Sequence, residues 1–451
     1  MRYLLFILFL SSLGLLPARP ALAQQTVLSG YVQLGLQADL NLKQQQFQLQ
    51  KALLMLDETR TAFRPTVQFN TTYSTAVGGR QIAFPVGSLL NPVYTTLNKL
   101  TETKQFPQVA DYKENFYPKD FYDTRFHTMM PLINAELRLQ RSLQGEQINA
   151  LKAEQDVYRR ELTKTIKMAY FQYLKAAEVV VICETGLRLL TDTERFNKSL
   201  VQNGKANPTV LVRMQGELGS ARLRLEEARS DQQQAALYLN HLLNRAPAEP
   251  VLFDSTYRAT RPQAPLTDGN REELAGLRSL MSAQQLQLQV NKVSNKPKLG
   301  LSLDVGSQGN VATLAGGDQN FLTPNGFILA GISFDLPIYT AGRRQLKMAQ
   351  NRADIAATEL RLTQTLNDLN AQMQQAELAF QAALTRYDQQ KEQQPWADRY
   401  YRDLMKLYRE GMVGYVELLD AQNQVMKQQI EQTLRLYDAW IRLAQLERVK
   451  G

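Results

Sequence analysis

Two hydrophobic periodicities alternate along this chain, and the alternation happens twice. Four segments carry a two-residue repeat and read as strands. In the first, Val67, Phe69, Thr71 and Tyr73 alternate with Gln68, Asn70, Thr72 and Ser74. The second sets Phe126, Thr128, Met130 and Leu132 against Arg125, His127 and Met129. The third sets Leu299, Leu301, Leu303 and Val305 against Gly300, Ser302, Asp304 and Gly306. In the fourth, Ile328, Ala330, Ile332, Phe334 and Leu336 oppose Leu329, Gly331, Ser333 and Asp335. About ten residues per strand suit a tilted membrane strand, and the same alternation suits a half-buried sheet in water. Four strands cannot close a barrel, and a membrane tolerates no open sheet edge. Strands of this kind in a membrane must be pooled by several chains.

Most of the remaining chain reads as helix. Segments 26–62, 133–203, 208–244, 270–295, 340–410 and 414–449 are rich in Gln, Leu, Ala, Glu, Lys and Arg, all good helix formers. Leu211, Met214, Leu218, Ala221, Leu225, Ala228, Gln232, Ala235, Leu239 and Leu242 recur at spacings of three and four, as do Val416, Leu419, Asn423, Met426, Ile430, Thr433, Tyr437, Trp440 and Ala444. That is a coiled-coil seam diluted by polar and small residues. The segment 133–203 would reach roughly 105 Å as one helix. Two shorter helices stacked end to end match each long one. Pro395 should kink the second long helix or loosen its hydrogen bonding.

The plan is therefore a duplication: a first repeat over 24–244 with a β-hairpin at 64–133, and a second over 270–451 with a hairpin at 297–337. Pro131 and Pro337 open the two strand-to-helix passages, the latter followed by Gly342 and Arg343. Tip turns fall at 203–209 and 411–414, where Gly204, Gly411 and Gly414 permit the tight backbone that reverses a helical hairpin. The Pro-containing stretch 245–269 reads as a non-helical segment joining the repeats. The first hairpin loop, 77–124, is long and aromatic; it either covers a mouth, meets a membrane interface or moves freely. The second loop, 307–325, is rich in Gly, Asn, Thr and Asp.

Composition narrows the chemistry. Residues 1–23 read as a signal peptide, with Arg2, an apolar run from Leu4 to Leu10 and the cleavage pattern Ala21-Leu22-Ala23. Cys183 is the single cysteine, so no intrachain disulfide is available. His127 and His241 are the two histidines, without an acidic cluster at ligand spacing, so no metal or cofactor site is expected. The formal charge of +9 is spread along helices, which argues against nucleic acid as a partner. No nucleophile elbow, paired Cys and His or zinc-protease motif is present, and Glu226-Glu227 and Glu272-Glu273 read as solvated helix-surface carboxylates. The chain is not expected to be an enzyme.

Phe334-Asp335-Leu336-Pro337-Ile338-Tyr339-Thr340-Ala341-Gly342-Arg343-Arg344 resembles a strand-to-helix junction of the TolC-like outer membrane efflux proteins. Tyr408-Arg409-Glu410-Gly411, followed by Val416-Glu417-Leu418-Leu419-Asp420-Ala421-Gln422, resembles that family's second tip, and Leu200-Val201-Gln202-Asn203-Gly204 a degenerate first copy. The resemblance covers the mature chain and is weaker in the first repeat, where Glu136 and Leu137 replace the Gly-Arg pair. It implies a mainly α fold with a membrane β portion: a homotrimer with one shared twelve-stranded barrel and a coiled-coil helical tunnel. It further implies a passive exit channel in the bacterial outer membrane with a periplasmic extension. A periplasmic adaptor and an inner-membrane pump would dock it, for efflux or type I secretion. At the tip it assigns Glu417 and Asp420 to charged rings and Tyr408 to a latch between hairpins. Val210 and Val413 stand where the family carries an ionic latch, which puts that latch in doubt. The alternative is a periplasmic coiled-coil adaptor without a pore, which would carry one hairpin and a lipoyl-like half-motif. The cargo is not legible.

Overall fold

In the computed structural model, residues 27–115, 120–264, 271–310 and 325–450 are described. The signal-peptide reading at 1–23, most of the second hairpin loop and the start of the helix expected from 270 lie outside them.

The four alternating segments form one antiparallel sheet in the order β1-β4-β5-β6. Its strands are β1 (Thr66–Ser74), β4 (Phe121–Ile133), β5 (Lys298–Asn310) and β6 (Gly326–Asp335). β4 pairs with β5, joining the first half of the chain to the second, with Phe126 opposite Val305 and Thr128 opposite Leu303. β1 and β6 are the two edges. Register puts Val67, Phe69, Phe126, Leu303, Ile328 and Ile332 on one face. That face is open: Val67 is 64% exposed and Ile332 72%. The other face is polar, with Arg125 2.8 Å from Asp123 and His127 Nδ1 2.7 Å from Asp304 Oδ1. His127 thus sits in a cross-strand pair instead of standing alone.

Pro131 does not open the helix. It lies inside β4, where the register with β5 shifts between Pro131 and Ile133. A proline lacks the N–H a ladder needs, so a bulge is where a strand accommodates it. The helix starts at Ala135, capped by Asn134, whose Oδ1 accepts from the Glu136 amide at 3.0 Å. At the matching passage in the second half, Leu336 to Thr340 are non-regular, Ala341 and Gly342 take positive φ (49° and 74°), and the helix begins at Arg343.

The first hairpin loop is built, not loose. It contains β2 (Gln81–Phe84), α3 (Val86–Leu100) and β3 (Tyr112–Asn115), with β2 and β3 paired. Two asparagines clamp α3 to the segment that follows it. Asn91 exchanges bonds with the Val109 backbone at 2.9 and 2.8 Å, and Asn98 with Phe106 at 2.7 and 3.1 Å. Gly87 is required, because a Cβ there would lie 2.1 Å from the Val109 carbonyl oxygen.

The long helices are α4 (Ala135–Gln202) and α8 (Arg343–Arg409), and α8 continues through Pro395. Shorter helices are α1 (Val27–Ala38), α2 (Leu40–Thr61), α5 (Thr209–Leu242), α7 (Glu272–Val293) and α9 (Tyr415–Lys450). The helix expected over 26–62 is broken at Asp39, whose carboxylate accepts from the Leu42 amide at 2.7 Å and restarts the chain as α2. The joining segment is not wholly non-helical, since Thr256–Ala259 forms the short α6.

Two compact units result, and they cut across the repeats. One comprises residues 50–149 and 279–359 and holds the sheet. The other comprises 1–49, 150–278 and 360–451. Its core centres on Ile166, Tyr170, Leu174, Leu239 and Tyr437, each fully buried and each stabilising by about 1.5–3 kcal/mol. Aromatic polar groups tie the joining segment to that core. Tyr170 and Tyr173 donate to the Leu252 and Val251 carbonyls at 3.1 Å, and Trp440 Nε1 to the Tyr257 carbonyl at 3.1 Å.

The acidic pair opening α7 is not solvated as expected. Glu272 pairs with Arg160, and Glu273 lies 2.8 Å from Arg448, all four side chains at least three-quarters buried. Their helix start faces α4 and α9, so burial of the carboxylates comes with compensating guanidinium groups. Glu226 is the exposed surface carboxylate anticipated, paired with Arg229 at 3.0 Å.

Glu178 is a further buried carboxylate, accepting from the Tyr437 hydroxyl at 3.0 Å with Arg258 Nε at 3.9 Å. Burial pushes it above the ordinary range, against the lowering by Tyr437, Arg258 and Thr433. A carboxyl raised in the fold holds its proton more tightly there than in the unfolded chain. Its contribution to stability therefore falls as pH climbs from the ordinary Glu range through the raised value. Glu178→Gln keeps an acceptor for Tyr437 and removes the charge. The variant should melt about 2 °C above the parent at pH 8 and level with it below about pH 4. An equal difference at both pH values would exclude burial of the charge as the cause.

Candidate functional site: the helix tips

The α4-to-α5 and α8-to-α9 reversals are built alike. Gly204 and Gly411 take φ of 71° and 77°, the left-handed region that favours glycine. At the first tip the Lys205 amide bonds the Leu200 carbonyl at 2.8 Å and the Gly204 amide bonds Val201 at 3.0 Å. At the second, Met412 bonds Leu407 at 2.9 Å and Gly411 bonds Tyr408 at 3.1 Å. Both are Schellman closures. Gly414 precedes the first residue of α9, and a Cβ there would meet the Glu417 carboxylate at 2.7 Å.

The two tips pack on each other through Leu190, Met214, Leu218, Tyr408, Tyr415 and Leu418. Val210 and Val413 join this cluster as partly buried neighbours. The positions where an ionic latch was doubted thus contribute apolar surface. Tyr408 is the polar link across the tips. Its hydroxyl donates to Asn197 Oδ1, while Asn197 Nδ2 donates to the Thr193 carbonyl at 2.9 Å. The Phe196 and Tyr408 rings meet edge to face at 6.2 Å. Burial pushes the Tyr408 phenol above its usual value, and pushes Tyr415 to about 12 with help from the Glu217 charge. Both hydroxyls remain protonated throughout the physiological range.

Glu417 and Asp420 both lie exposed on α9, while Tyr415, Leu418 and Leu419 between and around them are buried. The carboxylates therefore occupy the face turned away from the tip cluster. Glu417 also stands in the first turn of α9, where a negative charge is favoured by the helix dipole. Val416, read as a seam residue, is 52% exposed. Gln422 is buried, and neither atom of its amide has a partner among the described residues. Tyr401 and Tyr415 hydroxyls are likewise buried without partners there. Asn197, Tyr401, Tyr415 and Gln422 were not singled out from the sequence; the polar interruptions at 197 and 422 within apolar seams were the available signal.

No helix among the described residues is long and apolar enough to cross a membrane, and no cluster there could hold a metal ion. Residues 266–451 match the outer membrane efflux protein family. No curated protein sequence matches the chain. Solved structures do. The open state of the Neisseria gonorrhoeae MtrE outer membrane channel aligns with a TM-score of 0.74 at 16% identity, covering 94% of this chain and 88% of that one. CusC, a protein whose structures concern folding and transmembrane channel formation, gives 0.72 at 15% identity, covering 94% and 92%. The outer membrane protein VceC of Vibrio cholerae gives 0.69 at 15% identity, covering 94% and 96%. The resemblance read from the sequence is met, with a mainly helical fold shared with such channels. The family matched over residues 266–451 is one of outer membrane efflux proteins.

Proposed function

We propose that the chain is an outer membrane efflux protein that works as a homotrimer forming a passive exit duct, a reading supported by the family match over its second half and by its fold. The open sheet carries this reading. Its edges β1 and β6 have no partner strand among the described residues, while one face is apolar and the other polar. A membrane tolerates no unpaired edge, so β1 of one copy must meet β6 of the next. Three copies close twelve strands, with Val67, Phe69, Ile328 and Ile332 toward lipid and Asp304 and His127 toward the lumen. Residues 24–244 and 270–451 are then two structural repeats around a pseudo-sixfold axis. The helices continue the duct into the periplasm, where an adaptor and an inner-membrane pump dock and supply the energy.

The tips are the gate. The apolar cluster and the Tyr408–Asn197 bond hold the two tip turns together within each chain. Glu417 and Asp420, exposed on α9, supply rings of negative charge that favour cations. The parent should conduct in planar bilayers with a cation preference; anion preference, or a silent purified trimer, would count against the duct. Glu417→Ala combined with Asp420→Ala should raise the divalent-cation concentration needed for half block by at least about tenfold. An unchanged block would remove both carboxylates from the gate.

A further inference from the structure

We propose that the apolar face of α3 docks on the lipid surface of the outer membrane beside the barrel rim. This rests on the membrane reading of the sheet. At 100° per residue, α3 divides into three faces. Gly87, Asn91, Tyr94 and Asn98 face the segment 106–111, where the asparagine clamps and the Tyr94–Phe106 ring contact at 5.8 Å lie. Ser88, Thr95 and Lys99 make an exposed polar face. The third face is Val86, Leu89, Leu90, Val93, Leu97 and Leu100, an apolar stripe about 100° wide. In a globular helix a stripe of that width is the one turned to the core. Here Leu89 is 69% exposed, Val93 52% and Leu100 76%. The paired ribbon adds Phe84 stacked on Tyr112 at 6.4 Å, both also exposed. An apolar surface of this extent marks a binding face.

Lipid is the occupant that the neighbouring surface specifies. The outward face of β1 runs Val67, Phe69, Tyr73, all exposed, and ends on the tyrosine. Tyrosines at strand ends mark the water interface of membrane barrels. Residues 75–80, with positive φ at Gly78 and Gly79, connect that strand to β2 and span at most about 25 Å. The insertion is thus tethered within about 25 Å of the strand end that Tyr73 marks. A helix of 15 residues with apolar and charged faces side by side suits a position in the interface plane, not across the bilayer.

Fluorescent labelling of the full-length protein in vesicles tests this. With buried Cys183, the sole cysteine, replaced by Ser, an environment-sensitive nitrobenzoxadiazole probe is placed at Leu89→Cys, Leu100→Cys, Thr95→Cys or Phe69→Cys. The vesicles are phosphatidylcholine and phosphatidylglycerol, with or without lipid spin-labelled at a shallow acyl position. Probes at 69, 89 and 100 should be quenched by the spin-labelled lipid, and those at 89 and 100 at least about threefold more than the probe at 95. Quenching at 89 and 100 by aqueous iodide to the level at 95 overturns the docking. So does protection at both sites from lipid and iodide alike, which would mean cover by another copy of the chain. A quenched probe at 69 with unquenched probes at 89 and 100 overturns only the docking; an unquenched probe at 69 overturns the membrane reading and the docking together.

Discussion

Replacing Tyr408 by alanine should open the tips. The ring sits in the apolar cluster that joins the two reversals, and its hydroxyl is the donor to buried Asn197 Oδ1. Truncating a buried aromatic costs about 3–5 kcal/mol. Leaving the Asn197 oxygen without its donor adds about 1–3 kcal/mol when it stays dry. Amide exchange over residues 190–221 and 401–422 should accelerate by about 10³-fold or more, because the free energy of local opening falls by the sum of these costs while the Tyr170 core is untouched. Single-channel conductance or open probability should rise in parallel. Tyr408→Phe separates the contributions: it keeps the ring and loses only the hydroxyl, so a roughly tenfold acceleration is expected. Unaltered exchange in Tyr408→Ala would show that the tips are held elsewhere.

Gly306→Val should abolish the assembled channel while sparing the helices. A Cβ at this position would lie 2.5 Å from the Thr124 carbonyl oxygen and 2.6 Å from the Arg125 Cβ. Both atoms are fixed to the β4 backbone, so neither can swing aside, and β4 and β5 must part. That pairing is the ladder in the sheet which unites the two halves of the chain. The variant should keep its helical circular dichroism but lose the detergent-resistant oligomer and all conductance. Gly331→Ala is the matched control. Its Cβ would meet only the Ser302 hydroxyl at 3.0 Å, and a serine side chain can turn away. A Gly306→Val protein that still forms the oligomer would mean that β4 and β5 tolerate separation.

The regular parts of this fold were legible because periodicity is a property of sequence. The strands around Val67, Phe126, Leu301 and Ile328 and the seam of Met214, Leu218, Ala221 and Leu225 appear where the alternations place them. Gly204 and Gly411 were legible because few other residues take that φ. What escaped depends on single side chains bonding to backbone. Asn91 and Asn98 turn a Pro-rich, aromatic stretch into a helix packed on its own tail, with no periodic signature. Asp39 breaks an otherwise continuous helical pattern by capping it, and Pro131 sits in a strand because a bulge absorbs its missing N–H. At the site, Tyr408 and Gly411 were readable from local motif. Asn197 was not, since its partner lies 211 residues away. Buried Gln422 was missed because the seam read by spacing favoured its neighbour Asn423.

The unpaired edges of the sheet have a genetic consequence. In the proposed trimer every copy offers β1 to one neighbour and β6 to the other, so one faulty edge interrupts the whole ring. A cell making equal amounts of parent chain and a variant that assembles but cannot close would hold only about one trimer in eight built wholly from parent subunits. Edge-strand lesions in β1 or β6 should therefore be dominant over a good copy of the gene. Lesions that keep the chain from assembling at all, Gly306→Val among them, should be recessive, because such chains never reach the ring.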